Sequence, residues 1–236
     1  MCGRFVVAKA ASDLVAFLDV DTVGDDLPEP SFNIAPTDRV AIVLDSIKTE
    51  PPTRRLEAAR WGLIPGWAKD ASVGPRAINA RSEEVESKPM FRGALEKRRA
   101  VVPTSGYYEW TTVEGVKTPH FVYPADGSPL LMAGLYEWWR NPAIAHDDPA
   151  RWVLSFTILT RDSIGHLGSI HDRMPLFIDD AHAEAWLDPT TENVGDVLDA
   201  AIHDAPEVAE TLTEHVVSAA VGNVRNKGPQ LIDAVA

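Results

Sequence analysis

The 236 residues predict an α+β fold: a single domain, residues 1–236, with a mostly antiparallel, barrel-like β core and peripheral helices. Runs rich in β-branched and aromatic residues outnumber those with helical composition. Most of the strand-like runs are joined by short Gly- or Pro-containing turns rather than by crossover helices. No internal repeat, low-complexity tract or linker divides the chain.

Taken in order, "SDLVAFLDV" (12–20) reads as a short amphipathic helix with Ser12 as its N-cap. "DDLPEPSFNIAPTDRVAIVL" is a Pro-rich loop that ends in a strand near Arg39 to Leu44, and "PPTRR" marks a turn. "LEAARWGLIPGWAKD" begins as a strand and breaks at Pro65 and Gly66. "RSEEVESKPMFRGALEKRR" has helical composition, with Pro89 placed for the first turn of a short helix. Strand-like runs follow in "AVVPTSGYYEW", "HFVYPA", "LLMAGLYEWW", "WVLSFTILT" and "MPLFI". "DDAHAEAWL" and "VGDVLDAAIHDA" read as late helices, and "TLTEHVVSAAV" as a closing strand.

Hydrophobic content of 45% and charged content of 24% suit a folded globular protein. No apolar run reaches membrane-spanning length, and Lys9 and Asp13 interrupt the apolar stretch after Arg4, which does not fit a signal peptide. A single cysteine excludes an intramolecular disulfide and suits a reducing compartment. The expectation is a cytoplasmic monomer with no membrane association. A net charge of −13 argues against a general polyanion binder. Between Arg54 and Arg99, however, eleven Lys and Arg face six Asp and Glu. That stretch is either a solvated surface or a local groove that follows phosphates.

Several residues carry candidate chemistry. Cys2 follows the initiator methionine, which is usually trimmed before a small residue. Trimming would unite an α-amine, reference pKa ~7.7–8.0, with a thiol of ~8.5 on adjacent carbons. An aldehyde condenses with such an amine to an imine, and the thiolate closes a five-membered thiazolidine. Alternatively, Cys2 is an incidental terminal residue. In "INARSEE", Asn79 and Arg81 share a face if the segment is extended; the same residues would otherwise start a helix. In "SGYYEWT", Glu109 lies in an aromatic run, where burial would raise its pKa into a useful range; alternation also permits an outward position. His171 in "SIHDRMP" titrates near neutrality beside Asp172 and Arg173, as a catalytic or a surface residue. Trp61 and Trp67 flank a Pro-Gly turn, with Trp61 expected in the core and Trp67 at the surface beside Lys69. The spacing of His and Cys offers no metal motif, and no Gly-rich phosphate loop is present, so neither metal nor nucleotide cofactor is expected.

Six motifs in order, "MCGR", "NIAPT", "WGLIP.W", "NARSE", "GYYEW" and "HDRMP", resemble the SOS-response-associated peptidase (SRAP) family of abasic-site-processing proteins. The resemblance runs from Cys2 to about Leu231. It implies a single domain with a barrel-like antiparallel core. It also implies an enzyme whose N-terminal Cys2 forms a thiazolidine with the opened aldehyde of an abasic site in single-stranded DNA. The result would be a shielding, possibly self-reversing covalent link. On that pattern Asn79 orients the cysteine and the lesion, Glu109 moves protons, His171 assists sugar opening and Arg81 grips a flanking phosphate. Arg4, Trp67, Arg92 and Arg173 would line the DNA channel. Phe32 stands where an aromatic with a hydroxyl is common in the family. Hydrolase, protease and lyase-type activities are associated with the family. Two alternatives remain at this level: an N-terminal-nucleophile amidohydrolase or thiol peptidase, and a non-catalytic single-stranded DNA-binding module.

Overall fold

The computed structural model describes residues 2–235. The chain runs β1 (Arg4–Val7), α1 (Ala11–Phe17), β2 (Thr22–Val23), β3 (Ser31–Ile34), β4 (Arg39–Ser46), β5 (Thr53–Trp61) and β6 (Asn79–Arg81). It continues with α2 (Arg92–Lys97), β7 (Arg99–Thr104), β8 (Gly106–Val113), β9 (Val116–Pro124), β10 (Leu130–Arg140) and β11 (Trp152–Asp162). β12 (Arg173–Pro175), β13 (Phe177–Ile178), α3 (Asp180–Leu187), α4 (Val194–Glu210) and β14 (Leu212–Val216) complete it.

The predicted barrel is present. β5, β4, β7, β10 and β11 pair antiparallel in succession. The ring closes where β11 meets β5 in parallel through Ser155↔Arg60 and Phe156↔Trp61. A second, fully antiparallel sheet runs β14-β9-β8-β1-β3. Both faces of the barrel strands are covered, which explains the unbroken apolar run "VAIVL" in β4. Val40, Ile42 and Leu44 pack with Phe5, Trp61, Tyr107 and Phe156, while Ala41 and Val43 pack beneath the helices with Leu14, Trp186 and Leu198.

Several boundaries depart from expectation. α1 starts at Ala11 after an extended Ala10 with no side-chain cap, so Ser12 lies inside its first turn. The Pro-rich stretch holds β3, drawn into the second sheet by β1 through Phe5↔Ile34 and Val7↔Ser31. Pro89 falls before the N-cap of α2, which is Phe91. "MPLFI" divides into β12, which pairs with β11, and β13, which pairs with β10. α4 runs to Glu210 with Pro206 inside it. Proline has no N–H for the carbonyl four residues back; here the Arg161 guanidinium donates to that carbonyl, Ile202 O, instead.

The basic stretch does not form one basic surface. Arg54 pairs with Asp45 at 3.0 Å, Arg55 with Glu57 at 2.6 Å and Arg98 with Glu137 at 2.9 Å. Arg99 is buried and donates to the carbonyls of Leu95 and Glu96 at 2.8 Å and of Trp186 at 2.6 Å. It thereby ties the C-terminal ends of α2 and α3, where a cation also suits the helix dipoles. Lys69, Arg76, Arg81, Lys88, Arg92 and Lys97 remain exposed.

Candidate active site around Cys2

β1 is held between β3 and β8, and Arg4 lies opposite Tyr108. That register brings the residues preceding β1 alongside Glu109. Cys2 is fully buried, packed in the cluster that contains Phe5, Trp61 and Tyr107. Its Sγ lies 3.9 Å from Arg4 O. Burial raises the Cys2 thiol pKa, and the Glu109 charge adds to the effect. An isolated thiolate is therefore disfavoured, and the thiol needs a proton acceptor as it reacts.

Asn79 opens β6, the extended alternative of the two read for "INARSEE". β6 is fixed in parallel to β11 through Ile158↔Asn79. From there Asn79 Nδ2 donates to Cys2 O at 2.7 Å. Asn79 Oδ1 is buried and has no hydrogen-bond partner among the described residues, an acceptor held ready beside Cys2. Arg81, two residues on, is exposed and lies 3.7 Å from Glu84.

Glu109 is buried at 5% exposure, not outward-facing. Burial pushes its carboxyl pKa up, and His171 pulls it part of the way back. Tyr107, on the same face of β8, is held strongly protonated by burial and by the nearby Cys2 and Glu109. The Arg173 amide donates to His171 Nδ1 at 3.0 Å, so in the neutral ring Nε2 carries the proton. Asp172 Oδ1 lies 2.7 Å from the same Nδ1. The structure thus brings Cys2, Asn79, Glu109 and His171 together.

The expected DNA-channel residues divide. Trp67 is 67% exposed, whereas Trp61 is in the core and donates to Ile78 O at 2.9 Å. Arg92 is exposed on the first turn of α2. Arg173 is turned inward: it makes a bidentate pair with Glu83 at 2.8 and 3.0 Å and also bonds Asp162 and Thr160 O. Its charge is matched within the protein, and it ties the segment after β6 to the β11–β12 pair. Arg4 is likewise engaged, with Asn33 Oδ1 at 2.9 Å and Val221 O at 2.8 Å.

Asn33, within "NIAPT", had no role in the sequence reading. Fully buried, its Nδ2 faces the carbonyls of Val221, Asn223 and Asn226 at 3.1, 3.2 and 2.9 Å. It holds the C-terminal segment against Arg4, two residues from Cys2. Phe32, the departure noted in the sequence, offers its carbonyl to the Tyr108 hydroxyl at 2.8 Å.

The model of the family "SOS response associated peptidase (SRAP)" matches residues 1–224. The chain belongs to the SRAP family. Abasic site processing protein YoqW of Bacillus subtilis (strain 168) is 32% identical, with 99% of this chain and 100% of the relative covered. YedK of Escherichia coli (strain K12), named in the same way, is also 32% identical with both chains covered in full. HMCES of Xenopus tropicalis, named an abasic site processing protein, is 32% identical over 88% of this SRAP chain and 67% of its own. Among solved structures, a protein from Bacteroides thetaiotaomicron superposes with a TM-score of 0.81 over 100% of both chains at 21% identity, a likeness of fold. No helix among the described residues is long and apolar enough to cross a membrane.

Proposed function

We propose that this SRAP protein captures abasic sites in single-stranded DNA as a covalent thiazolidine on Cys2, once Met1, which lies outside the described residues, has been removed. The observation that carries the reading is the meeting of the Cys2 backbone with Asn79 Nδ2, beside a buried Glu109 whose carboxyl is raised and a nearby His171. The names of the full-length relatives, abasic site processing proteins, support abasic sites as the target.

The reaction balances with these groups alone. His171 gives a proton to the deoxyribose ring oxygen and takes the one that leaves the C1′ hydroxyl, so ring opening frees the aldehyde and leaves the imidazole unchanged. The Cys2 amine adds to the freed aldehyde carbon. Glu109, whose acid form burial favours, gives its proton to the carbinolamine oxygen, which leaves as water. Sulfur then attacks the resulting iminium carbon, and the thiol proton passes to the Glu109 carboxylate, which restores the acid. One C–N and one C–S bond form and one water is released. Asn79 holds the Cys2 carbonyl, and its open Oδ1 accepts from the amine or from a sugar hydroxyl. The apolar wall of Phe5, Trp61 and Tyr107 keeps water from the imine. Arg81 and Arg92 meet phosphates, and Trp67 stacks on a base.

The test uses purified protein and a uracil-containing single strand treated with a uracil glycosylase. A band that survives denaturation should appear with wild type and vanish with Cys2→Ala, and the intact mass should lack Met1. Wild-type protein that leaves the lesion strand unmodified would sink the proposal.

A further inference from the structure

Behind the sheet that carries Glu109, the chain after β14 folds back as a strap. Val217, Val221 and Leu231 of this strap pack on Val6, Tyr108 and Phe121. Side chains alternate along β8, so Tyr107 packs with Cys2 on one face while Tyr108 packs with the strap on the other. From that rear face the strap reaches the Cys2 site by two arms.

The first arm runs through Arg4. Its Nη1 donates to Val221 O at 2.8 Å and its Nη2 to Gly222 O at 3.3 Å, both in the strap. Buried Asn33 locks the same contact, accepting from Arg4 on its Oδ1 while its Nδ2 faces the three strap carbonyls. The second arm starts at Lys227, whose Nζ donates to Asn33 O and to Asp38 Oδ2, each at 2.6 Å. Asp38 Oδ2 also accepts from Ala35 N at 3.0 Å, which closes the loop on itself. That loop grips Trp61 from both sides: Thr37 N donates to Trp61 O and Trp61 N to Asp38 O, both at 2.9 Å. Thr37 is held at φ 77°, a conformation that a β-branched residue keeps only where its neighbours impose it. The Trp61 indole donates in turn to Ile78 O at 2.9 Å, next to Asn79. One arm therefore ends two residues from Cys2 and the other beside Asn79, the two partners of the 2.7 Å bond at the site.

We propose that the C-terminal strap, residues 217–232, is a positioning part of the active site, with Lys227 the residue that sets Asn79 against Cys2 from behind the sheet. The inference rests on the reading of Cys2 as the nucleophile. Lys227 touches neither the lesion nor the reacting atoms; it acts through Asp38, Trp61 and Ile78. Such an effect is large enough to measure, since a misplacement of ~1 Å caused far from the chemistry can cost about 10²-fold in rate.

Two measurements test it. Lys227→Met keeps the aliphatic stem and removes both bonds of a side chain that is 42% exposed, so the fold should survive. With the lesion strand at saturation, Lys227→Met should crosslink about tenfold more slowly, and Lys227→Arg should recover most of that loss. Strand affinity, measured in a Cys2→Ala background, should stay within about twofold of its value with Lys227. The second measurement needs no lesion. The Asn79 side-chain amide protons, identified in NMR spectra by their loss in Asn79→Ala, should exchange with solvent about tenfold faster in Lys227→Met. A crosslinking rate that Lys227→Met leaves unchanged overturns the proposal. A slower rate with unchanged exchange overturns it as well, because the strap would then act elsewhere. Faster exchange in Lys227→Met, with no crosslink from wild type, supports the positioning of Asn79 by the strap and rejects the lesion chemistry.

Discussion

Glu109 shows how a single burial decides chemistry. At 5% exposure its carboxylate is poorly solvated, so the protonated form persists to higher pH than for a free glutamic acid. His171 opposes this in part. Glu109→Gln keeps the shape and removes the transfer. The crosslinking rate should fall by roughly 10²–10⁴-fold, the usual worth of a positioned acid or base. In wild type the acid form is lost as pH rises through the elevated folded pKa, which makes one limb of the rate profile; that limb should be absent in Glu109→Gln. Stability moves the other way. The folded protein must hold a buried charge above that pKa, so at alkaline pH the melting temperature of Glu109→Gln should equal or exceed that of wild type. Crosslinking rates against pH, paired with thermal unfolding, check both. A slow variant that is also markedly unstable would make Glu109 a structural residue.

At the scale of elements, α3 and α4 are joined by a small ionic contact. His182 Nδ1 lies 2.7 Å from Asp179 Oδ1 and 3.2 Å from Asp204 Oδ2, and Asp179 also caps α3 by accepting from the His182 amide at 2.8 Å. The hydrogen bond to Asp179 raises the His182 pKa, with the charges of Asp179 and Asp204 adding to it. A raised folded pKa means that the stabilisation is complete below the unfolded value of ~6.5 and is lost as pH rises through the folded value. With the His182 side chain 44% exposed, the effect is modest and screened by salt. Asp204→Asn should flatten the fall in urea midpoint across that window, and an unchanged slope would deny the contact any role. Elements such as these were largely legible, because the β-branched, apolar run of β4 and the runs "LLMAGLYEWW" and "WVLSFTILT" announce strands without outside help. What closes the barrel was not, since the β5–β11 pairing joins distant segments through only Ser155↔Arg60 and Phe156↔Trp61. Pro206 inside α4 was hidden too, because the donor that replaces its N–H comes from Arg161 on another element. The site divides in the same way. Cys2, Asn79, Glu109 and His171 were visible as residue types within motifs. The inward roles of Arg173 and Asn33 depend on partners 90 and 188 residues away, beyond any local pattern.

For the whole molecule, charge sets how DNA can be held. The chain carries −13 overall, and of its eleven cations between Arg54 and Arg99 several are used within the fold. Arg99 is committed to helix-end carbonyls, and Arg173, outside that stretch, to Glu83 and Asp162. Lys69, Arg76, Arg81, Lys88, Arg92 and Lys97 are the exposed members, and Lys88 is paired with Glu84, so only a few phosphates can be neutralised together. Each phosphate on a single strand contributes about −0.7 to the slope of log binding constant against log salt. Three or so contacts give a slope near −2, so affinity should fall about 16-fold between 50 and 200 mM salt. The acidic remainder repels the backbone, which makes stacking the larger share of affinity and leaves salt a secondary control. Arg81→Ala should weaken lesion-strand binding most at low salt and reduce the slope by about 0.7, because the lost contact no longer releases a counterion. Binding measured by anisotropy on Cys2→Ala, which cannot form the link, isolates this term. Identical slopes with and without Arg81 would place that guanidinium off the phosphate path. A slope several times steeper would mean that cations now paired with carboxylates exchange partners when DNA arrives.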